Sequence, residues 1–262
     1  MSLTPSDTAS LARSFFDAAR APHTHARPSN THPVSVDEAY AVQAAQVALM
    51  ADAGESVVAI KLGLTDQTQR DTQGWNAPSF GTLTDAMVLV EGDEFSVAGS
   101  IMPRVEPEIV VVLGDDITSP VSLDELPGRI ASIHVGIEIV DPRFDDPAFI
   151  LTDALCDNAA ARSGVWVTRG VSPHEVDLAD ITATLSIDGE VVLTGHGSAL
   201  MGNPLLLVKE VIDERLRLGL PVFTGLAIFT GNLAGKAHAV TPGQEVVVSA
   251  GALGDISLKI VA

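Results

Sequence analysis

Cysteine is nearly missing from this chain: Cys156 is the one example in 262 residues. A single thiol excludes an intrachain disulfide framework and a thiolate zinc cluster. A nucleophilic role for it would need a histidine partner in space; otherwise it reads as a small buried apolar group. Basic residues are scarce too, with 15 Lys and Arg against 34 Asp and Glu, for a formal charge of -19. Such a chain repels phosphate backbones and anionic lipid surfaces, so no nucleic acid and no membrane is expected as a partner. The acidic excess by itself points only to solubility or a saline habitat. No apolar run is long enough to span a bilayer, and the N-terminal "MSLTPSDTAS" lacks the basic and apolar regions of a signal peptide. A cytoplasmic protein is expected. Internal repeats and low-complexity tracts are also absent.

What is present begins with two helical patterns. "PSDTASLARSFFDAAR" sets Leu11, Phe15, Phe16 and Ala19 at helical spacing, and "SVDEAYAVQAAQVALMADAG" is bounded by a Ser35/Glu38 capping-box pattern and by Gly54. The intervening "APHTHARPSNTHP" is Pro/His/Asn-rich without apolar periodicity, which reads as a loop free to move or to serve as a lid. From residue 56 the pattern changes to short β-branched runs: "SVVAIKLGLT", "AMVLV", "EIVVVLG", "ASIHVGIEIVD", "TATLSI", "EVVLTG", "VFTGLAIFTG", "EVVVSAG" and "DISLKIVA". Asp188-Gly189 signals a hairpin, and "NPLLLVKEVIDERLRLG" is a helix with Asn203 as N-cap, Pro204 at its first position and Gly219 past its end. Strands dominate and helices are segregated, without βα alternation. That is an α+β architecture with a large mixed or antiparallel sheet system, divided into an N-terminal helical arm (residues 1–55) and a β-rich domain (residues 56–262).

Three carboxylates stand out inside apolar strands. In "MPRVEPEIVVVLG", alternation points Glu106 and Glu108 to one face with Val110 and Val112, while Pro107 points to the other and suits an edge or a bulge. In "SIHVGIEIVD", Glu138 shares a face with His134, Gly136 and Val140. An unpaired ionised carboxylate in a low-dielectric interior costs several kcal/mol. Counter-charge must come either from the scarce Lys and Arg or from a hard divalent cation that takes oxygen ligands.

"PRVEPEIVVVLG", "GIEIVDPRF", "IKLGLTD", "ALCDNAA", "SALMGNP", "FTGLAIFTGN" and "VVVSAGALGDISLKI", taken in order, resemble the fumarylacetoacetate hydrolase superfamily. Within it they are most similar to the 2-oxopent-4-enoate hydratase and 4-oxalocrotonate decarboxylase branch. The resemblance implies a mixed β-sandwich or roll with an N-terminal helical arm, a homo-oligomer that associates with a pathway partner enzyme, and a small 2-oxo or 2-hydroxy acid substrate from aromatic meta-cleavage catabolism. It also implies Mg²⁺ or Mn²⁺ on Glu106, Glu108 and Glu138, with Lys61 meeting the substrate carboxylate or the developing enolate. Asp141 and Arg143 match a motif in which the arginine orders the carboxylate shell, although a plain structural ion pair fits them equally well. Asp157 and Asn158 fall where supporting residues are implied, Thr230 and Gly231 match a turn beside the site, and Leu83 and Arg104 join the substrate-side group.

One position departs from the hydratase pattern: "APSFGTL" has Ser79 where an acidic residue is implied to handle water or protons. A hydroxyl is a poor general base near neutral pH without help. Decarboxylase-like members lack the acid as well, which leaves hydration, decarboxylation of a 2-oxo-3-enedioate and, further off, acylpyruvate C–C hydrolysis or a non-catalytic subunit as alternatives. Arg104, Arg143 and Lys236 are candidates to receive a distal carboxylate. His23, His25 and His32 read as solvated loop residues, and His134 as a satisfied strand histidine.

Overall fold

Side-chain caps fix where the long helices begin. At α1 (Pro5–Ala18) the Thr4 hydroxyl accepts from the Asp7 amide while the Asp7 carboxylate accepts from the Thr4 amide, and Ser35 and Glu38 repeat the pattern at α2 (Val36–Asp52). Gly54 ends α2 with φ of +90°, a conformation that costs glycine little. The computed structural model describes residues 2–21, 23–146 and 148–262.

After α2 come strand β1 (Val57–Gly63), helix α3 (Gln67–Gln73), and strands β2 (Ser79–Thr84), β3 (Glu94–Ser96), β4 (Arg104–Leu113) and β5 (Ile130–Val140). Helix α4 (Leu151–Cys156) leads into β6 (Ala161–Trp166), β7 (Thr182–Ile187) and β8 (Glu190–His196). Helix α5 (Pro204–Arg217) and strands β9 (Ala227–Phe229), β10 (His238–Ala239), β11 (Glu245–Ser249) and β12 (Asp255–Val261) follow. Asn203 caps α5 by accepting from the Leu205 amide at 2.9 Å. The Asp188-Gly189 turn joins β7 to β8 with φ of +51° and +86°, as a two-residue hairpin requires.

The strands form two sheets. The larger runs β2-β1-β9-β4-β5-β6, with β10 also paired to β4, and the smaller runs β3-β12-β11-β7-β8. The larger sheet curls until its two ends meet. Val88, just past β2, bridges Gly164 of β6, the Leu89 amide donates to the Gly164 carbonyl at 2.9 Å, and Ser163 Oγ donates to the Met87 carbonyl at 2.6 Å.

Alternation then sorts the side chains of this roll. Ile60, Leu62, Phe80, Ile109, Val111, Ile133 and Ile137 point outward into the main core, where they meet the smaller sheet (Leu185, Val248, Leu258) and the helices (Tyr40, Leu207, Val211). Ala59, Leu83, Val110, Ala161, Ala227 and Phe229 form a separate small cluster on the inner face. Phe229 fits there because two strands carry glycine beside it: a Cβ on Gly164 would lie 2.6 Å from Phe229 Cζ, and one on Gly136 would lie 3.3 Å from Cε1.

Several sequence expectations are corrected. "AMVLV" is not a strand but a turn followed by the single bridge at Val88, and only Ala227–Phe229 of "VFTGLAIFTG" is extended. Pro107 lies within the roll rather than at an edge or bulge, buried and opposite Ile137. Its carbonyl accepts from the Leu233 amide, so its nitrogen faces the same side, into the gap between β9 and β10 where no ladder donor is required. The short elements α3, β2, β3, α4 and β6 carried no periodicity long enough to mark them. The Pro/His/Asn-rich segment contacts the domain through two pairs: His25 bridges Phe144, and Arg27 pairs with Asp146 at 2.9 Å. Pro22, at the start of that segment, lies outside the described residues. Among the described residues no helix is long and apolar enough to cross a membrane.

Candidate metal centre and active site

Strand register brings the three glutamates together. Glu106 of β4 sits directly opposite Glu138 of β5, and Glu108 lies two residues along the same face. One carboxylate oxygen from each can be chosen so that all lie within 4.8 Å of one another. Glu108 and Glu138 are fully buried, whereas Glu106 keeps partial access to solvent. Below them on the inner face lie Val110, Leu83 and Phe229, which form an apolar floor.

Fixed groups orient this cluster. Lys61 of β1 places Nζ 3.0 Å from Glu138 Oε1, and the Gly231 amide donates to Glu108 Oε2 at 2.8 Å. Glu108 Oε1 and Glu138 Oε2 remain buried without a hydrogen-bond partner. Orphaned carboxylate oxygens converging at this spacing suit a hard divalent cation, which prefers oxygen ligands, and leave room for ligands from a substrate.

The electrostatics agree with that fit. Burial, and then the charge of Glu138, push Glu106 up to about 7, against the opposing pull of Lys61, Asn232 and Arg104. Burial and the other two glutamates hold Glu108 well above the ordinary carboxylate range. Burial alone would lower Lys61, but Glu138, Glu106 and Glu108 outweigh it and keep the ammonium charged. Such a ring of carboxylates is costly unless a cation neutralises it.

The remaining sequence candidates fall into groups. Ser79, buried at the start of β2, stands opposite Gly63, whose absent Cβ leaves space for it: a Cβ there would lie 2.7 Å from Ser79 Oγ. Ser79, Gly81 and Leu83 alternate along β2 on the face turned toward Lys61, with Gly81 directly opposite it. Thr230 donates through its hydroxyl to the Ile109 carbonyl at 3.0 Å, which holds the turn that presents Gly231. Gly231 has φ of +111°, and a Cβ on it would lie 2.4 Å from Thr65 Cγ2. Arg104 is exposed and acts electrostatically on Glu106.

A second set builds the wall instead of the ring. Arg143 Nη1 donates to Asp157 Oδ1 at 2.6 Å and Nη2 to the Ala161 carbonyl at 2.6 Å, while Asp141 accepts from the Ile101 and Met102 amides. The side chain of Asn158 brackets Thr82, accepting from its amide and donating to its carbonyl, both at 2.8 Å. These bonds lock β2 and β6 beside the glutamates. Lys236 is exposed. His134 is satisfied by the Val167 carbonyl and by Ser132, and burial pushes the Cys156 thiol up to about 12, which keeps it protonated. Asn232, Thr65 and Phe229 escaped the sequence reading. Asn232 and Phe229 flank the Thr-Gly turn, which was the available signal for both.

Comparison with known proteins is consistent with this geometry. The fumarylacetoacetate (FAA) hydrolase C-terminal family matches residues 42–261. A 2-keto-4-pentenoate hydratase of Burkholderia vietnamiensis is 36% identical over 196 residues, covering 74% of this chain and 75% of that protein. A 4-oxalocrotonate decarboxylase of a Pseudomonas species is 30% identical over 226 residues, covering 86% of this chain and 87% of that protein. The solved structure of 4-oxalocrotonate decarboxylase from Pseudomonas putida G7, complexed with magnesium and adipate, superposes with a TM-score of 0.94 at 27% identity over 99% of each chain. The chain therefore belongs to the fumarylacetoacetate hydrolase family.

Proposed function

We propose that the chain is a divalent-metal-dependent lyase acting on short 2-oxo and 2-hydroxy alkenoic acids, with hydration of 2-hydroxypenta-2,4-dienoate as its principal reaction. The observation that carries this reading is the convergence of Glu106, Glu108 and Glu138 with Lys61 on one inner face. The three glutamates would hold Mg²⁺ or Mn²⁺ through carboxylate oxygens, and Lewis acidity toward a chelating 2-oxo acid is the chemistry such an ion supplies when bound.

The side chains supply the rest. Lys61, kept charged by its neighbours, offers a fixed cation for the substrate carboxylate or for the negative charge that develops on the enolate. The Gly231 amide and the Asn232 side chain orient Glu108 and Glu106 and partly offset the burial that favours their protonated forms. Phe229, Leu83 and Val110 exclude water from below, so the substrate's hydrocarbon end lies against apolar surface. Arg104, beside the partly exposed Glu106, is placed to attract an acidic substrate.

Decarboxylation of a 4-oxalocrotonate-type acid is the second reading, and Ser79 favours it. A serine cannot by itself serve as the base that activates water, whereas loss of CO₂ into a stabilised dienolate needs no such base. Supplying 2-hydroxypenta-2,4-dienoate and 4-oxalocrotonate separately, while following ultraviolet absorbance and CO₂ release, distinguishes the two. Turnover of either substrate that persists fully in EDTA would overturn the metal-dependent reading altogether.

A further inference from the structure

Behind the roll, on the side away from the glutamates, α2, the end of α5 and β1 enclose a cavity of about 330 Å³. That volume is at the small end of the ~300–1,000 Å³ range of small-molecule pockets. Its walls are largely apolar, formed in part by Val47, Val57, Leu218 and Leu220. Asp37, Gln43, Thr82, Arg215 and Tyr40 are its polar lining. Asp37 is paired with Arg217 at 3.0 Å and Gln43 donates to the Phe80 carbonyl at 2.8 Å, which leaves Arg215 and Tyr40 as the two groups a ligand could engage.

The first is Arg215, only 3% exposed. Its Nε and Nη2 both donate to the Pro221 carbonyl, at 3.3 and 2.9 Å, and its guanidinium lies 5.5 Å from the Phe80 ring centroid. Among the described residues no carboxylate forms a salt bridge with it, in contrast to the buried Arg143, which has Asp157. A buried guanidinium without an anion is costly, and burial pushes its pKa down to about 10. The second group is Tyr40, stacked on the same Phe80 ring at 4.7 Å. Its hydroxyl is buried without a hydrogen-bond partner, with the Phe80 backbone and the Arg217-paired Glu214 as its near polar neighbours.

We propose that this cavity is a second ligand site, which takes a small monocarboxylate with an apolar tail: the carboxylate on Arg215 and Tyr40, the tail along Val47, Val57 and Leu220. A guanidinium matches a carboxylate in two parallel hydrogen bonds, and an unsatisfied phenol supplies a further donor. One cation neutralises one negative charge, so a phosphate dianion would be left with charge against apolar walls. The site is separate from the metal centre, because Phe80 alternates along β2 with Ser79 and Gly81, which face the other way.

The test is calorimetric titration of the full-length, Mg²⁺-loaded protein with hexanoate, with oxalate at saturation to fill the metal centre and 1-hexanol as the uncharged control. Hexanoate is expected to bind once per chain, independently of oxalate, and 1-hexanol far more weakly. Ala44→Trp, placed on the exposed side of α2 where Ala44 lines the cavity, should abolish binding and leave turnover and unfolding temperature unchanged. Tyr40→Phe should weaken binding while keeping or raising the unfolding temperature, since it removes an unsatisfied buried hydroxyl. Arg215→Met should weaken binding by at least about tenfold, the scale of a hydrogen bond to a charged group. If Arg215→Met does not fold, Ala44→Trp and Tyr40→Phe carry the test. Absence of hexanoate binding, equal binding of 1-hexanol, displacement by oxalate, or binding indifferent to Ala44→Trp would each overturn the proposal.

Discussion

Lys61 Nζ lies 3.0 Å from Glu138 Oε1, although β1 and β5, which carry them, are separated in the sheet by β9 and β4. Only the curl of the sheet brings the two side chains together, so this ion pair reports on the roll as well as on the chemistry. Removing one partner of a buried pair leaves the other uncompensated, at a cost of roughly 3–5 kcal/mol. Lys61→Met is therefore expected to lower the unfolding temperature of the metal-free protein. It should also cut turnover by about 10²–10³-fold, the scale of losing one preorganised group that stabilises developing charge. Metal binding, measured by calorimetry, should survive. Wild-type turnover in Lys61→Met would remove the lysine from the mechanism.

Glu108→Gln is expected to act with opposite signs in the two states. In the metal-free protein it replaces a buried, like-charge-crowded carboxylate with a neutral amide of similar shape, and stability should rise by about 1–3 kcal/mol. The gain of stability expected when Mg²⁺ binds the folded wild type should disappear. Thermal unfolding with and without Mg²⁺ reads both effects. A variant that still responds fully to Mg²⁺ would show that Glu108 is not a ligand.

Much of the geometry of this candidate site was legible in the sequence because its information is local. Alternation alone put Glu106 and Glu108 on one face, and the Ser35/Glu38 and Asn203 caps mark helix starts that need no tertiary partner. What was not legible depends on residues distant in the chain. "AMVLV" has the composition of a strand, yet only Val88 finds a partner, because β6 closes the roll there. Pro107 reads as an edge residue until the break between β9 and β10 is known. Arg143 found its anion in Asp157, 14 residues away, and not in the neighbouring Asp141, a choice that composition and spacing leave open.

Acidity should stabilise the metal-free protein. Glu106 titrates at about 7 in the folded state against an ordinary 4.5, so between those values the folded chain keeps a proton that the unfolded chain has lost. Stability then falls as pH rises through that window, by on the order of 3 kcal/mol at about 1.4 kcal/mol per pH unit, and levels off above it. Glu108, also raised, adds to the same trend. Unfolding temperature in EDTA should drop from pH 5 to pH 8, and Mg²⁺ should flatten or reverse the slope because it competes with the protons. A metal-free protein that grows steadily more stable over that range would contradict the buried-cluster electrostatics.

The floor of the site is set by a single aromatic ring and the two glycines that admit it. A methyl group on Gly164 would approach Phe229 Cζ to 2.6 Å and Leu83 Cδ1 to 3.3 Å, and both neighbours are fully buried. Gly164→Ala must therefore displace the Phe229 ring, with an overpacking cost of about 1–3 kcal/mol. Because Phe229 also packs edge-on against Trp166, with ring centroids 5.7 Å apart, the shift should alter indole fluorescence. Turnover should fall more than metal affinity if the ring borders the substrate, because Glu106, Glu108 and Glu138 stay on β4 and β5. Phe229→Leu frees the volume that the new methyl needs, so the double variant should recover part of both stability and turnover, a coupling that a double-mutant cycle measures. Strictly additive losses would mean that the ring and the glycine act independently, and that the floor is not what shapes the site.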